Sequence, residues 1–87
     1  MTVVHVPSPL HGYTGGQSIL EGNGTTISEV LGGLDADYPG LRFRIIDEQD
    51  RIRPTILFYV GDQVVRELSR PLAPGEEIRI VAALSGG

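Results

Sequence analysis

The sequence predicts an α+β domain in which one main helix packs across a mixed sheet of four to five strands. A capped segment beginning at Thr26 has the apolar period of about 3.6 residues that is typical of a helix. Several short segments rich in β-branched residues alternate with the period of about two residues that is typical of strands. The length of 87 residues allows one compact domain, so the helix is expected to bury its apolar face on the sheet.

The helix is predicted over about 28–38. Thr26 and Glu29 form a capping box, in which the Thr26 hydroxyl accepts a hydrogen bond from the Glu29 backbone N–H and the Glu29 side chain reaches back. The apolar face at i, i+3, i+4 and i+7 consists of Ile27, Val30, Leu31 and Leu34. Pro39-Gly40 ends the helix. Gly32 and Gly33 weaken it, and their small size suggests a close approach to the sheet.

The strands are indicated by β-branched segments between turn residues. They are predicted at 3–7, 17–21, 56–60, 63–66 and 77–83. The side chains predicted to face the helix are Val4, Val6, Ile56, Phe58, Ile78 and Ile80. Gly61-Asp62 is the hairpin turn, and the sheet has four strands if the segment around Val64 is irregular. Residues 10–16 are predicted as a loop, and residues 41–46 fit either a helical turn or an extended stretch.

Composition excludes several classes of function. The chain has no cysteine, which removes disulfides, thiolate metal sites and cysteine nucleophiles. The net charge of −4 disfavours binding to nucleic acid. No apolar segment approaches the roughly 20 residues of a membrane span, and the N-terminus lacks a signal-like pattern. We therefore expect a cytoplasmic protein without nucleic-acid or membrane partners.

The residues that could act in catalysis or metal binding are better explained by ordinary structural roles. His5 and His11 stand without a cluster of further ligands. The acidic segment 47–50 lacks the pattern of a calcium loop and is interpreted as a solvated loop. The serines have no nucleophile-elbow context. We expect no bound cofactor and no enzymatic activity of the chain by itself.

The C-terminus carries the strongest chemical signal. The last predicted strand runs into Leu84, Ser85, Gly86 and Gly87, and two terminal glycines arise from composition alone with a probability of about 0.02. Glycine has no Cβ, so such a tail can enter a narrow tunnel and present its carboxylate to ATP in a partner enzyme. An incidental frayed end is the alternative. We predict a folded domain over 1–84 and a flexible Ser-Gly-Gly tail over 85–87.

The chain resembles the MoaD/ThiS family of β-grasp, ubiquitin-like sulfur carriers over nearly its whole length. The motifs that carry the resemblance are Thr14-Gly15-Gly16-Gln17, Tyr38-Pro39-Gly40-Leu41, Asp47-Glu48, Tyr59-Val60-Gly61-Asp62 with Val65-Arg66, Pro74-Gly75-Glu76-Glu77 and Leu84-Ser85-Gly86-Gly87. Their order and spacing are more specific than any one of them. The Thr-Gly-Gly-Gln stretch is most similar to the branch that supplies sulfur to cysteine or related metabolites.

The resemblance implies a β-grasp fold and a chemical role for Gly87. A ubiquitin-activating-type adenylating enzyme would activate its carboxylate with ATP, and a sulfur donor would convert it to a thiocarboxylate. A sulfur-accepting synthase would then consume that sulfur. Strand alternation adds a docking surface, because Leu57, Tyr59 and Val81 should point away from the helix and form an exposed apolar patch. Scattered surface apolar residues are the plain alternative.

Three other functions remain open at this point. The chain could be the small subunit of molybdopterin synthase, which belongs to the same family and would form a lasting heterodimer. It could be a ubiquitin-like modifier joined to lysines of other proteins. It could also be an interaction domain with an incidental Gly-Gly end.

Overall fold

The central strands of the sheet come from the two ends of the described chain. The computed structural model describes residues 1–82. Its strands are β1 Thr2–His5, β2 Ile19–Gly22, β3 Ile56–Val60, β4 Gln63–Val65 and β5 Ile78–Ala82. Their order is β2-β1-β5-β3-β4, with β1 and β5 parallel and the other pairs antiparallel. The predicted mixed sheet is thus confirmed, and within residues 1–82 it has five strands.

In the described part of the chain, one long helix and two short ones connect these strands. The main helix, α1, spans Ile27–Asp37, a short helix, α2, spans Leu41–Ile45, and a 3₁₀ helix spans Ser8–Tyr13. The ambiguous segment is therefore helical over residues 41–45, and the residue that caps its N-terminus, Gly40, has a left-handed φ of 92°. The prediction of a loop over 10–16 was wrong for residues 10–13, where the prolines near the start of the segment suit the first turn of a helix.

Two sets of bonds hold the N-terminus of α1. The Thr26 hydroxyl accepts from the Glu29 N–H at 3.2 Å, while the Glu29 carboxylate reaches back to the N–H and hydroxyl of Thr25. In addition, the N–H groups of Ile27 and Ser28, which have no acceptor within the helix, donate to backbone carbonyls of the segment 68–70. The sequence pattern indicated the first set, and only the tertiary structure shows the second.

The core lies between α1 and one face of the sheet. Its buried apolar residues are Val4, Val6, Leu10, Leu20, Ile27, Val30, Leu31, Leu34, Leu41, Ile45, Ile46, Ile56, Phe58, Val60, Val65, Ile78 and Ile80. Every residue predicted to face the interior is among them. The unexpected members include Leu41 and Ile45, because the helical form of α2 turns both toward the core.

The close approach of helix and sheet occurs at Gly22. A Cβ at that position would lie 2.8 Å from Val30 Cγ1, which is closer than such atoms pack. The prediction that Gly32 and Gly33 serve this purpose was wrong. Both are exposed, and a Cβ at Gly32 would meet nothing within 4 Å.

Candidate functional site

The sheet face opposite α1 is not covered by any helix among residues 1–82. Strand register places Leu57 directly opposite Val81, and Tyr59 opposite both Arg79 and Val64. Since directly paired residues share a face of a sheet, these side chains form one continuous surface. We call this surface, made of Leu57, Tyr59, Val64, Arg79 and Val81, the open-face patch.

The three residues predicted to bind a partner are less exposed than expected. Leu57, Tyr59 and Val81 alternate with buried residues, as predicted, but all three are half-buried. Each lies on a central strand, so its neighbours on the adjacent strands cover part of it. The expected exposed patch is therefore corrected to a partly covered surface, in which strand register places the three residues next to one another.

Sequence reasoning missed two apolar residues on the same face. Val64 is 44% exposed and lies opposite Tyr59, and Ile19 is 55% exposed and lies opposite His5. Both stand on edge strands, where one side has no neighbouring strand to cover them. The signal for Val64 was present in the sequence, because its neighbour Val65 turns inward and strand residues alternate.

The last described residue of the chain lies beside this patch. Ala82, the last residue of β5, pairs with Ile56 at the start of β3. A cleft of about 360 Å³ runs along the same end of β5 and is lined by the segments 5–9 and 79–82. The predicted tail residues Leu84, Ser85, Gly86 and Gly87 lie outside the described residues, as does the predicted boundary at residue 84. Their roles stay predictions.

Both histidines have hydrogen-bond partners within the domain. His5 Nε2 lies 2.6 Å from Glu77 Oε1, and His11 Nε2 donates to the Val6 carbonyl at 2.9 Å. Within residues 1–82, no group of three His, Asp or Glu side chains is placed to hold a metal ion. Nor does that part of the chain contain a helix long and apolar enough to cross a membrane.

A strand order of β2-β1-β5-β3-β4 with one helix packed across the sheet defines a ubiquitin-like β-grasp domain. The model of the ThiS family matches residues 4–87, and the chain belongs to that family. The resemblance to the MoaD/ThiS family is confirmed in this respect, and so is the β-grasp fold.

Relatives with curated names are similar over nearly their whole length. The sulfur carrier protein CysO of Mycobacterium tuberculosis (strain H37Rv) is 32% identical over 89 residues, covering 97% of this chain and 96% of that protein. Its crystal structure superimposes with a TM-score of 0.89 at 29% identity, covering 97% of this chain and all of that one. A chain in the crystal structure of the Amycolatopsis orientalis BexX/CysO complex gives a TM-score of 0.91 at 28% identity, with both chains fully covered.

Proposed function

We propose that this protein is a sulfur carrier that supplies sulfur for cysteine or a related metabolite. The observation that carries the proposal is the match to CysO sulfur carriers across almost the full length of both chains. The family match also extends through Gly87. The name of these relatives, sulfur carrier protein, favours this function over a molybdopterin synthase subunit or a protein modifier.

The reacting group in this proposal is the Gly87 carboxylate. An adenylating partner binds ATP, and the carboxylate attacks its α-phosphate, which gives an acyl-adenylate and releases pyrophosphate. A sulfur nucleophile from a donor then attacks the acyl carbon, and AMP leaves with one of the original carboxyl oxygens. The product is a thiocarboxylate. The chain acts as a co-substrate of its partners and contributes no catalytic side chain.

The described structure supports this role by the way it holds the strand that leads to the tail. β5 lies at the centre of the sheet, paired with β1 on one side and β3 on the other. Five residues follow Ala82, and covalent geometry limits their reach to roughly 16–18 Å. A partner that uses Gly87 therefore has to dock close to the end of β5, and the open-face patch lies there.

The test is sulfur transfer to Gly87 by the purified cognate adenylating enzyme. The intact protein, incubated with that enzyme, ATP and a sulfide source, is expected to exchange one oxygen for sulfur. Intact-mass spectrometry measures the exchange, and fragmentation assigns it to the last residue. Deleting Gly87 is expected to abolish it, because a shortfall of about 3.3–3.6 Å removes the carboxylate from contact with the α-phosphate.

A glycine substitution within residues 1–82 is the control for the deletion of Gly87. Gly12 is exposed, and a Cβ there would meet nothing within 4 Å, so Gly12→Ala is expected to be modified normally. If the intact protein formed neither an adenylate nor a thiocarboxylate at Gly87, the proposed function would be wrong.

A further inference from the structure

A second surface adjoins the open-face patch and differs from it in charge. A groove of about 290 Å³ lies between the segment 51–54 and the β3–β4 hairpin. Its lining includes Arg51, Arg53, Arg66, Ile52, Leu57 and Val64. We call it the arginine groove, because three of the seven arginines of the chain line it.

The arginine groove is positive on a protein whose net charge is −4. Among residues 1–82, no acidic residue lines it. The nearby carboxylate of Asp47 is engaged mainly by backbone groups, since it accepts from the N–H of Arg51 at 3.0 Å and of Gln49 at 2.9 Å. These bonds, led by the one from Arg51, and then the charges of Arg51 and Arg53 hold the pKa of Asp47 below its usual range.

The guanidinium groups of the groove retain hydrogen-bonding capacity. Arg53 uses its Nε to donate to the Phe43 carbonyl at 2.8 Å, and its guanidinium lies 4.8 Å from the centroid of the Phe43 ring. Arg51 donates to the neutral amide of Gln49. The salt bridges between arginine and carboxylate side chains found within residues 1–82 involve Arg42 and Arg70, and none of the groove arginines. Arginine presents five N–H donors, so most of the capacity of Arg51 and Arg53 remains when their partners within residues 1–82 are counted.

The arginine groove also contains apolar surface that continues into the open-face patch. Leu57 lines the groove and pairs with Val81, while Val64 lines it from the edge strand. At its other margin Arg53 stacks on Phe43, a ring that is 54% exposed. A ligand of matching chemistry therefore carries carboxylates for the guanidiniums and an apolar side chain for the surface between them.

We infer that the arginine groove binds an extended acidic segment of a partner protein, with one apolar residue seated against Leu57 and Val64. The charge complementarity and the continuity with the patch both support this occupant. The inference rests on the proposed function for its biological purpose, because the bound segment would hold a partner beside the end of β5. The binding itself does not depend on sulfur chemistry.

The experiment is an NMR titration of the full ¹⁵N-labelled chain with a synthetic peptide. The probe is a short capped peptide of Asp and Glu with one central Leu, and a second peptide replaces every acid by Lys. We expect the acidic peptide to shift the amides of residues 51–58 and 64–66, with binding that weakens as salt is added. The Lys peptide is expected to leave these amides unchanged.

Two variants with equal changes in charge test the location. Arg66→Glu lies in the groove, whereas Arg44→Glu lies on α2, where the native side chain stacks on Tyr13. We expect Arg66→Glu to weaken binding of the acidic peptide by about tenfold, as for the loss of a charge-assisted hydrogen bond. Arg44→Glu should leave the affinity within about twofold, because exposed charges outside the site are screened.

Three outcomes would overturn the inference. Equal weakening by both variants would show attraction by net charge alone. The same amide shifts with inorganic phosphate at equal concentration would indicate a site for small anions. Shifts of these amides on dilution without peptide would assign the groove to a second copy of this chain. Because no enzyme or ATP is present, the result is independent of whether Gly87 accepts sulfur.

Discussion

Gly22 and Gly32 are chemically identical residues whose surroundings give them opposite roles. Gly22 lies on β2 where the strand meets Val30 of α1, and its missing side chain lets the two elements approach. Gly32 lies on the exposed side of α1 with open space around its Cα. The first position needs glycine for packing, while the second only loosens the helix.

Alanine substitutions at these two positions are expected to change stability in opposite directions. Gly22→Ala should lower the free energy of unfolding by about 1–3 kcal/mol, as overpacking of a core does. Gly32→Ala should raise it by up to about 1 kcal/mol, through helix propensity alone. Chemical denaturation of both variants measures the two effects. A neutral Gly22→Ala would show that helix and sheet can separate without cost.

At the scale of elements, the segment 68–76, which precedes β5, fixes the position of the N-terminus of α1 by hydrogen bonds. Its carbonyls at Leu68 and Arg70 accept from the first helical N–H groups, and the Leu72 N–H donates back to the Thr25 carbonyl at 2.8 Å. The segment is itself held by an ion pair, in which the Arg70 guanidinium donates to both carboxylate oxygens of Glu76 at 3.1 and 3.2 Å. The ion pair and the helix terminus are thus linked.

This link predicts a pH dependence of stability. The hydrogen bonds from Arg70, and then from the Ala73 N–H, hold the pKa of Glu76 below its usual range. A carboxyl whose pKa is lowered by folding stabilises the fold above its unfolded pKa of about 4.3, and this contribution is lost as pH falls through the lower folded value. Glu76→Gln should therefore reduce stability at neutral pH and flatten its decline below about pH 4.3.

Thermal unfolding across pH 3–7 would measure this effect. Glu48→Gln is the control, since Glu48 is an exposed residue in the loop after α2. It should leave the acid side of the profile unchanged. Residual acid sensitivity is expected in Glu76→Gln, because the pKa values of Glu29 and Asp47 are also lowered by hydrogen bonds. An unaltered profile in Glu76→Gln would show that the ion pair does not contribute to the acid sensitivity of the fold.

At the scale of the whole molecule, the two faces of the sheet differ in what they contact. One face is covered by α1 and contains most of the core, and the other carries the open-face patch. β5 belongs to both, since Ile78 and Ile80 are buried under the helix while Val81 lies on the open side. The strand that leads toward the tail is therefore positioned by the core and available to a partner at once.

This division predicts that Val81→Asp separates binding from folding. An aspartate on the open side should permit folding, but it would leave an unpaired charge in the docked complex with the adenylating enzyme. Calorimetric titration should show affinity reduced by at least about tenfold, the loss typical of a contact central to an interface. Ile19→Asp, on the same face but on the far edge strand, is the control.

The outcome is informative because both substitutions add one charge to the same face. Circular dichroism and thermal unfolding would establish that each variant is folded before binding is measured. If Val81→Asp bound as well as the unaltered protein, the end of β5 would not belong to the docking surface. The open-face patch would then be ordinary surface.

The sequence by itself determined the order of the main elements, the capping of α1 and the inward residues of α1 and the central strands. These features follow from local periods and turn chemistry, which act over a few residues. It also pointed to the family, through ordered motifs that include the Gly86-Gly87 end. The prediction of Leu57, Tyr59 and Val81 as outward residues came from the same two-residue alternation.

Only the tertiary structure decided which residues stand side by side. Strand register placed Val64 and Arg79 beside Tyr59, and strand order left Leu57 and Val81 half-buried at the centre of the sheet. The helical form of α2 and the close approach at Gly22 were also decided there. The physical reason is that pairing and packing join residues distant in the chain, and local propensity does not encode those partners.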